Sequence, residues 1–296
     1  MPINVDEVLE TYWDDLAPLR NPVMLIALRG LFDIGGVATS ALDWMLKERD
    51  ATVVSDIDPD PFFDFTQERP EQVIDEDGER QIQWPENDFM IIRYPEGARD
   101  MIVLNGVEPH VSWATFSQCI VEVARGLGCN LVVSLGAAAE QTPHTRVPLV
   151  VGSTTNEELA SRLGLSRPQY QGPTGVAGVM LSALDDAHIP SISLRVGVPH
   201  YLMHAQHPKS AAALLQHLQH VLGIPTDHQN LVDEISRWQE LHDAAVEGDP
   251  EASAYVTMLE QRYDHAMERN MPSGDDLAAE LEEFLRGQAD DDQSED

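Results

Sequence analysis

Val23-Met24-Leu25-Ile26-Ala27-Leu28 is an unbroken apolar run. It is too short for a stable helix, and continuous rather than alternating hydrophobicity marks a strand covered on both faces. Gly30, Gly35 and Gly36 follow as turn residues, and Asp33 stands where it would cap a helix. Val37, Ala38, Ala41, Leu42, Met45 and Leu46 then recur at helical spacing, and Ala51–Ser55 reads as a second strand that completes a βαβ unit.

The alternation continues along the chain. A helix over 112–126 leads into the buried strand Leu131–Leu135, and a short strand follows at Val147–Val151. Helices are expected over 156–163 and 174–187, a last core strand over 189–196, and a helix over 208–222 with Pro208 in its first turn. Strands at 80–84, 88–94 and 100–105 lie close enough in sequence for antiparallel pairing. The pattern predicts an α/β fold with a mainly parallel sheet covered by helices on both faces.

Residues 56–79 hold Pro59, Pro61, Pro70, the adjacent Phe62 and Phe63, and a turn at Asp77-Gly78. They read as a long loop serving as a lid, an interface element or a mobile segment, with the two phenylalanines exposed. From Asp227 the pattern becomes purely helical. Leu231, Ile235, Trp238 and Ala245 form one stripe, and Ala252, Val256, Leu259, Tyr263 and Met267 another, with Gly248-Asp249-Pro250 as the turn between them. A last short helix is expected over 273–285. The expected organisation is an α/β core over 1–225, a helical extension over 226–286 and a disordered acidic tail over 287–296.

The chain carries 51 acidic and 18 basic residues, a formal net charge of −33. Phosphate backbones and anionic membrane surfaces draw on clustered Lys and Arg, so nucleic-acid binding and membrane docking are not expected. No apolar run reaches the roughly 18 residues of a spanning helix. Cys119 and Cys129 read as buried thiols in a reducing, cytoplasmic compartment.

Candidate chemistry gathers just beyond strand ends. The glycines at 30, 35 and 36 match neither the dinucleotide fingerprint nor the phosphate loop, and no cofactor is implied. Glu108 and His110 follow a strand; Glu108 is either a general base or a cap for the helix near Ser112. His144 and Arg146 alternate in an extended segment and either hold an anion jointly or pair with the chain's own carboxylates. Gly172-Pro173-Thr174-Gly175 precedes a helix, with Thr174 as the candidate N-cap. Its free amides suit an anion, while its glycines equally suit close packing. His200 and Tyr201 sit at the end of the last core strand. His200, His204 and His207 lack the Glu of the H-E-x-x-H pattern, so no metal site is expected.

Four motifs in order, Gly106-Val107-Glu108-Pro109, Pro143-His144-Thr145-Arg146, Tyr170-Gln171-Gly172-Pro173-Thr174-Gly175 and Val198-Pro199-His200-Tyr201-Leu202, resemble the proteasome assembly chaperone 2 family in its prokaryotic, actinobacterial form. The likeness runs from about Pro22 to Leu231. It implies a phosphorylase/hydrolase-like three-layer α/β/α sandwich, with the helical hairpin as an extension of that bacterial branch, and a homo-oligomer, first of all a trimer. Eukaryotic members escort proteasome α subunits and archaeal relatives are linked to proteasome assembly. Two functions follow. One is a non-catalytic oligomeric scaffold or assembly-chaperone-like protein that binds protein partners, proteasome subunits among them. The other is a small-molecule hydrolase or phosphorylase-like enzyme, with Glu108, His144 and His200 as candidate catalytic groups and Arg146, Gly172, Thr174, Gly175 and Tyr201 as ligand-binding groups.

Overall fold

The computed structural model describes residues 3–47, 49–75, 78–94 and 99–270. The helix expected over 273–285 and the tail over 287–296 lie outside the described residues, as does Asp77 of the expected turn.

Strand β1 (Leu9–Thr11) precedes β2 (Val23–Arg29), which holds the opening apolar run. Helix α1 (Val37–Leu46) and β3 (Ala51–Ile57) follow, then β4 (Glu71–Ile74), β5 (Arg80–Gln83), β6 (Asp88–Ile92) and β7 (Met101–Val107). Next come α2 (Trp113–Gly126), β8 (Leu131–Glu140), β9 (Val150–Ser153), α3 (Glu157–Leu163), α4 (Val176–Asp186) and β10 (Ser191–Pro199). Helices α5 (Pro208–Leu222), α6 (Val232–Glu247) and α7 (Pro250–Asn270) end the described chain.

Eight strands form one sheet in the order β1-β3-β6-β7-β2-β8-β10-β9. The central four, β7, β2, β8 and β10, are mutually parallel. Strands β1, β3 and β6 extend one side and β9 the other, all through antiparallel pairs. Val23 stands opposite both Met101 and Leu131, so β2 is bonded on both edges. Its side chains alternate between two cores: Leu25 packs with α1 and α5, and Met24 and Ile26 pack with α2 and α4. The absence of polar alternation in β2 follows directly. The result is the expected three-layer α/β/α sandwich.

The turn after β2 is built as read. Asp33 Oδ1 accepts the Ala38 amide (2.6 Å) and Oδ2 the Thr39 amide (3.2 Å), capping α1. Gly35 and Gly36 carry φ of 67° and 64°, the left-handed region that disfavours any side chain.

Three expectations need correction. Strand β3 does not pair with β2, because β7 and β6 lie between them. Strand β7 is buried along almost its whole length, whereas β3 is exposed over its first three residues, so β7 takes the interior slot and β3 lies further out. Phe62 and Phe63 are buried, not exposed. Phe62 meets the Phe116 ring edge-on at 5.5 Å, and its carbonyl accepts the amides of His110 and Val111 (2.9 and 3.1 Å). Two adjacent phenylalanines carry more apolar area than a solvated loop retains, and they join the core beneath α2. The end of the same segment is not loop either, since β4 pairs with β5 in a separate two-stranded hairpin.

Among the described residues no helix is long and apolar enough to cross a membrane. Cys119 is buried in α2 and Cys129 half-buried before β8, and burial pushes both thiols up to about 12. Neither is a thiolate near neutral pH.

Candidate functional site

Because β7, β2, β8 and β10 run in one direction, their carboxyl ends share one edge of the sheet, where open α/β sheets keep their crevices. The site residues read from the sequence all fall near that edge, in two separate groups.

The first group follows β8 and β10. Strand β8 delivers Gln141–Val147, and β10 ends at Pro199, after which His200–Leu202 form a short 3-10 turn. His144 is 1 % exposed, and both of its ring nitrogens are engaged. Its Nε2 faces Asp243 Oδ1 of α6 at 3.0 Å, and its Nδ1 faces the Tyr201 hydroxyl at 2.7 Å. A carboxylate only accepts, which places the proton on Nε2. Burial holds the His144 pKa below the usual imidazole value against the opposing pull of Asp243, so the ring is neutral and Nδ1 accepts from Tyr201. Tyr201 in turn accepts the His144 amide (2.9 Å), and burial pushes its hydroxyl up to about 12. The order Tyr201, His144, Asp243 is a complete hydrogen-bonded chain.

Arg146 is held by α7. Its Nε and Nη2 reach both carboxylate oxygens of Asp264 at 2.8 and 2.7 Å, and Nη1 reaches Glu260 Oε1 at 3.1 Å. This is the fork-on-carboxylate geometry that Arg satisfies and Lys does not. Thr145 donates to the same Glu260 oxygen at 2.5 Å, and Tyr263 donates to the Val147 carbonyl at 2.8 Å. His200 donates from Nδ1 to the Glu140 carbonyl (3.1 Å), and its Nε2 meets the Tyr255 hydroxyl of α7 at 3.0 Å. Lys209 donates to the His144 carbonyl at 2.9 Å. The anion expected at His144 and Arg146 is therefore present as the chain's own carboxylates Asp243, Glu260 and Asp264.

The second group lies around the start of α4. Glu108 does not cap α2; its Oε2 accepts the Leu31 amide at 2.6 Å and fixes the turn after β2. Thr174 is not the N-cap of α4 either. That position belongs to Gly175, with no side-chain bond, and Thr174 Oγ1 instead packs where Gly178 has no side chain. A Cβ at Gly175 would come within 2.4 Å of the Phe32 ring, so the glycine lets that ring pack against the start of α4. Gly172 has φ +151°, and the Tyr170 hydroxyl beside it donates to the Pro173 carbonyl at 2.9 Å. Large apolar and aromatic side chains face solvent here, Leu31 at 72 %, Phe32 at 41 % and Tyr170 at 74 % exposed, among exposed polar residues such as Gln169, Gln171 and Thr174.

No hydrogen bond or ion pair joins the two groups among the described residues. With α6 and α7 in place no substrate atom reaches the His144 ring, whose two nitrogens are both taken. Among the described residues no cluster of three or more His, Cys, Asp or Glu is placed to hold a metal ion. The sequence reading missed Asp243, Tyr255, Glu260 and Asp264, which look like ordinary polar positions of amphipathic helices. It also missed Leu31 and Phe32, whose signal was present: two large apolar residues directly after a strand, where turn residues are expected.

The PAC2 family model matches residues 27–246, so the chain belongs to the PAC2 family. A PAC2 family protein from Streptomyces avermitilis is 33 % identical in sequence. Its structure covers 79 % of this chain and 99 % of its own at a TM-score of 0.74. A proteasome-assembly chaperone homologue from Mycobacterium tuberculosis is also 33 % identical, with the same coverage and a TM-score of 0.71. An uncharacterized protein of Methanocaldococcus jannaschii is 30 % identical over 210 residues, 68 % of this chain and 74 % of that protein.

Proposed function

We propose that this member of the PAC2 family is a cytoplasmic, homo-oligomeric scaffold of the assembly-chaperone type, trimeric by first expectation, that binds protein partners, with proteasome subunits first among them. Its division into an α/β core over 1–225 and a helical extension over 226–286 belongs to the same proposal. The observation that carries it is the contrast at the sheet edge. The polar groups suited to catalysis are paired internally, while Leu31, Phe32 and the ring of Tyr170 stand exposed to solvent by the Gly172–Gly175 motif. Exposed aromatic and aliphatic anchors grouped at one place are what protein interfaces use. The Mycobacterium tuberculosis homologue supports the partner class.

The test is capture from native lysate, quantified by mass spectrometry, with the intact protein compared to a Leu31→Asp, Tyr170→Asp variant. Stoichiometric capture of proteasome subunits by the intact protein, reduced at least tenfold in the variant, is expected. Equal capture by both would remove this surface from the function, and an intact protein that captures only itself would remove the partner. Sedimentation analysis of the purified protein reads the oligomer directly.

A further inference from the structure

A small cavity opens between β2, β8 and the start of α4, beside the exposed Leu31 and Phe32. Its volume is about 20 Å³, room for one water-sized group. Ile26, Leu28, Val176 and Met180 give it apolar walls, and Phe32, itself exposed, stands at its mouth. Two polar side chains interrupt that lining, Ser134 and Glu108. Ser134 is 7 % exposed, and its hydroxyl has no hydrogen-bond partner among the described residues. It lies on the same face of β8 as Val132, toward the layer that holds Ile26, Val176 and Met180. Unlike Ser117 Oγ in α2, which lacks both a partner and accessible surface, it is open to the cavity. Buried hydroxyls nearly always have a partner, so this one is anomalous. Glu108 is half-buried. Its Oε2 accepts the Leu31 amide, and Gly30 makes that approach possible, since a Cβ there would stand 2.2 Å from the oxygen. Its Oε1 has no hydrogen-bond partner, and no ion pair forms at this carboxylate, among the described residues.

We infer that this cavity seats a primary ammonium group, the head of a lysine side chain of the protein partner; the inference rests on the interface reading of Leu31, Phe32 and Tyr170. In so small a space any occupant meets both polar groups. Glu108 Oε1 accepts one N–H and supplies the opposite charge, and Ser134 Oγ accepts a second. An ammonium carries three donors on a compact head, whereas a planar guanidinium is too broad for the space. The lysine stem then lies over Phe32 at the mouth, with its methylenes on apolar surface. A net charge of −33 favours a basic partner surface.

The experiment uses the full chain at fixed ionic strength with n-butylamine, which reproduces the lysine head and stem, butan-1-ol, which lacks the charge, and tetramethylammonium, a cation without N–H donors and too wide for the cavity. Binding is read by ¹H–¹⁵N correlation at the Leu31 amide, which Glu108 holds. Butylamine is expected to bind roughly tenfold more tightly than either comparison probe and to shift that signal. Glu108→Gln keeps an acceptor for the Leu31 amide and withdraws the charge, and it should bring butylamine and butan-1-ol within about twofold of each other. Ser134→Ala should weaken butylamine roughly fivefold. No binding of butylamine, equal binding of tetramethylammonium, or a preference that survives both variants would overturn the ammonium seat and leave the cavity to water. Capture from native lysate, repeated with Glu108→Gln, separates this proposal from the interface itself. Capture reduced roughly tenfold in Glu108→Gln supports the lysine head. Capture kept in Glu108→Gln but lost in the Leu31→Asp, Tyr170→Asp variant overturns the lysine and keeps the interface, and butylamine binding with no captured protein gives the seat to a free amine and overturns the partner.

Discussion

The ground beneath α6 and α7 and the surface around the start of α4 lie on the same edge of one sheet, yet they meet opposite fates. Under α6 and α7 every functional side chain read from the sequence is answered: His144 by Asp243 and Tyr201, Arg146 by Asp264 and Glu260, His200 by Tyr255. Around α4 Glu108 and the Tyr170 hydroxyl serve the backbone, and Leu31, Phe32 and the Tyr170 ring are left exposed. Polar residues beyond strand ends are therefore not evidence of a reaction in themselves. What decides is whether another element of the same chain consumes their hydrogen bonds.

The largest effect comes from breaking the docking of α6. Trp238 is buried, donates from its indole to the Gln206 carbonyl at 2.7 Å, and packs on both His207 and His242. Trp238→Ala should destabilise the protein by about 3–5 kcal/mol, the usual cost of emptying a large aromatic site. Urea denaturation measures it. A loss below about 1 kcal/mol would mean that α6 contributes little to the fold, and the contrast between the two regions would collapse.

The next effect separates the two buried histidines. His144 has partners for both nitrogens; His207 leaves Nε2 unanswered, and burial pushes its pKa down to about 3. The unfolded chain takes up a proton near pH 6.5, whereas the folded chain resists until near pH 3, so stability falls as pH drops through that window and levels off below it. Between pH 7 and pH 5 this group alone should remove about 2 kcal/mol, a loss absent from His207→Asn. Denaturation curves of both proteins at the two pH values isolate the term. Parallel losses would show that His207 is not held neutral.

Much of the fold was legible because burial on both faces writes itself as unbroken apolar runs. Residues 23–28, and 131–135 apart from Ser134, were readable for that reason, whereas 189–196 carries its signal in the alternating Ile192, Leu194 and Val196. Strand neighbours were not: pairing β2 with β7 rather than β3 depends on which strand tolerates full burial, a property of the finished sheet. The site was legible as positions but not as partners. His144 to Asp243 and Arg146 to Asp264 span 99 and 118 residues, and no local period encodes such a contact. Phe62 and Phe63 failed for a related reason, since a proline-flanked segment reads as solvated until the covering helix α2 is placed.

A smaller effect is expected at Arg146. Replacing it with Ala leaves Glu260 and Asp264 without their shared cation, and the network is only partly shielded from water. A loss of about 1–2 kcal/mol is expected, shrinking as salt is raised, and Lys should restore less than half of it because it lacks the fork. Stability unaffected by Arg146→Ala would mean that α7 is held without this ion pair, by Val256 and Leu259 and by the bonds of Tyr255, Glu260 and Tyr263.

The smallest effect falls on the other side of the comparison. Tyr170 is mostly in solvent, and its one bond goes to the Pro173 carbonyl of its own turn. An exposed side chain of this kind changes stability by no more than about 0.5 kcal/mol when removed. Tyr170→Ala should therefore leave the melting temperature nearly unchanged while weakening partner capture, the separation expected of a residue that serves an interface rather than the fold. Thermal unfolding and capture measured on the same preparation give both numbers. If stability falls by more than about 1 kcal/mol, Tyr170 is structural cover for the Gly172–Gly175 turn, and the exposed surface contracts to Leu31 and Phe32.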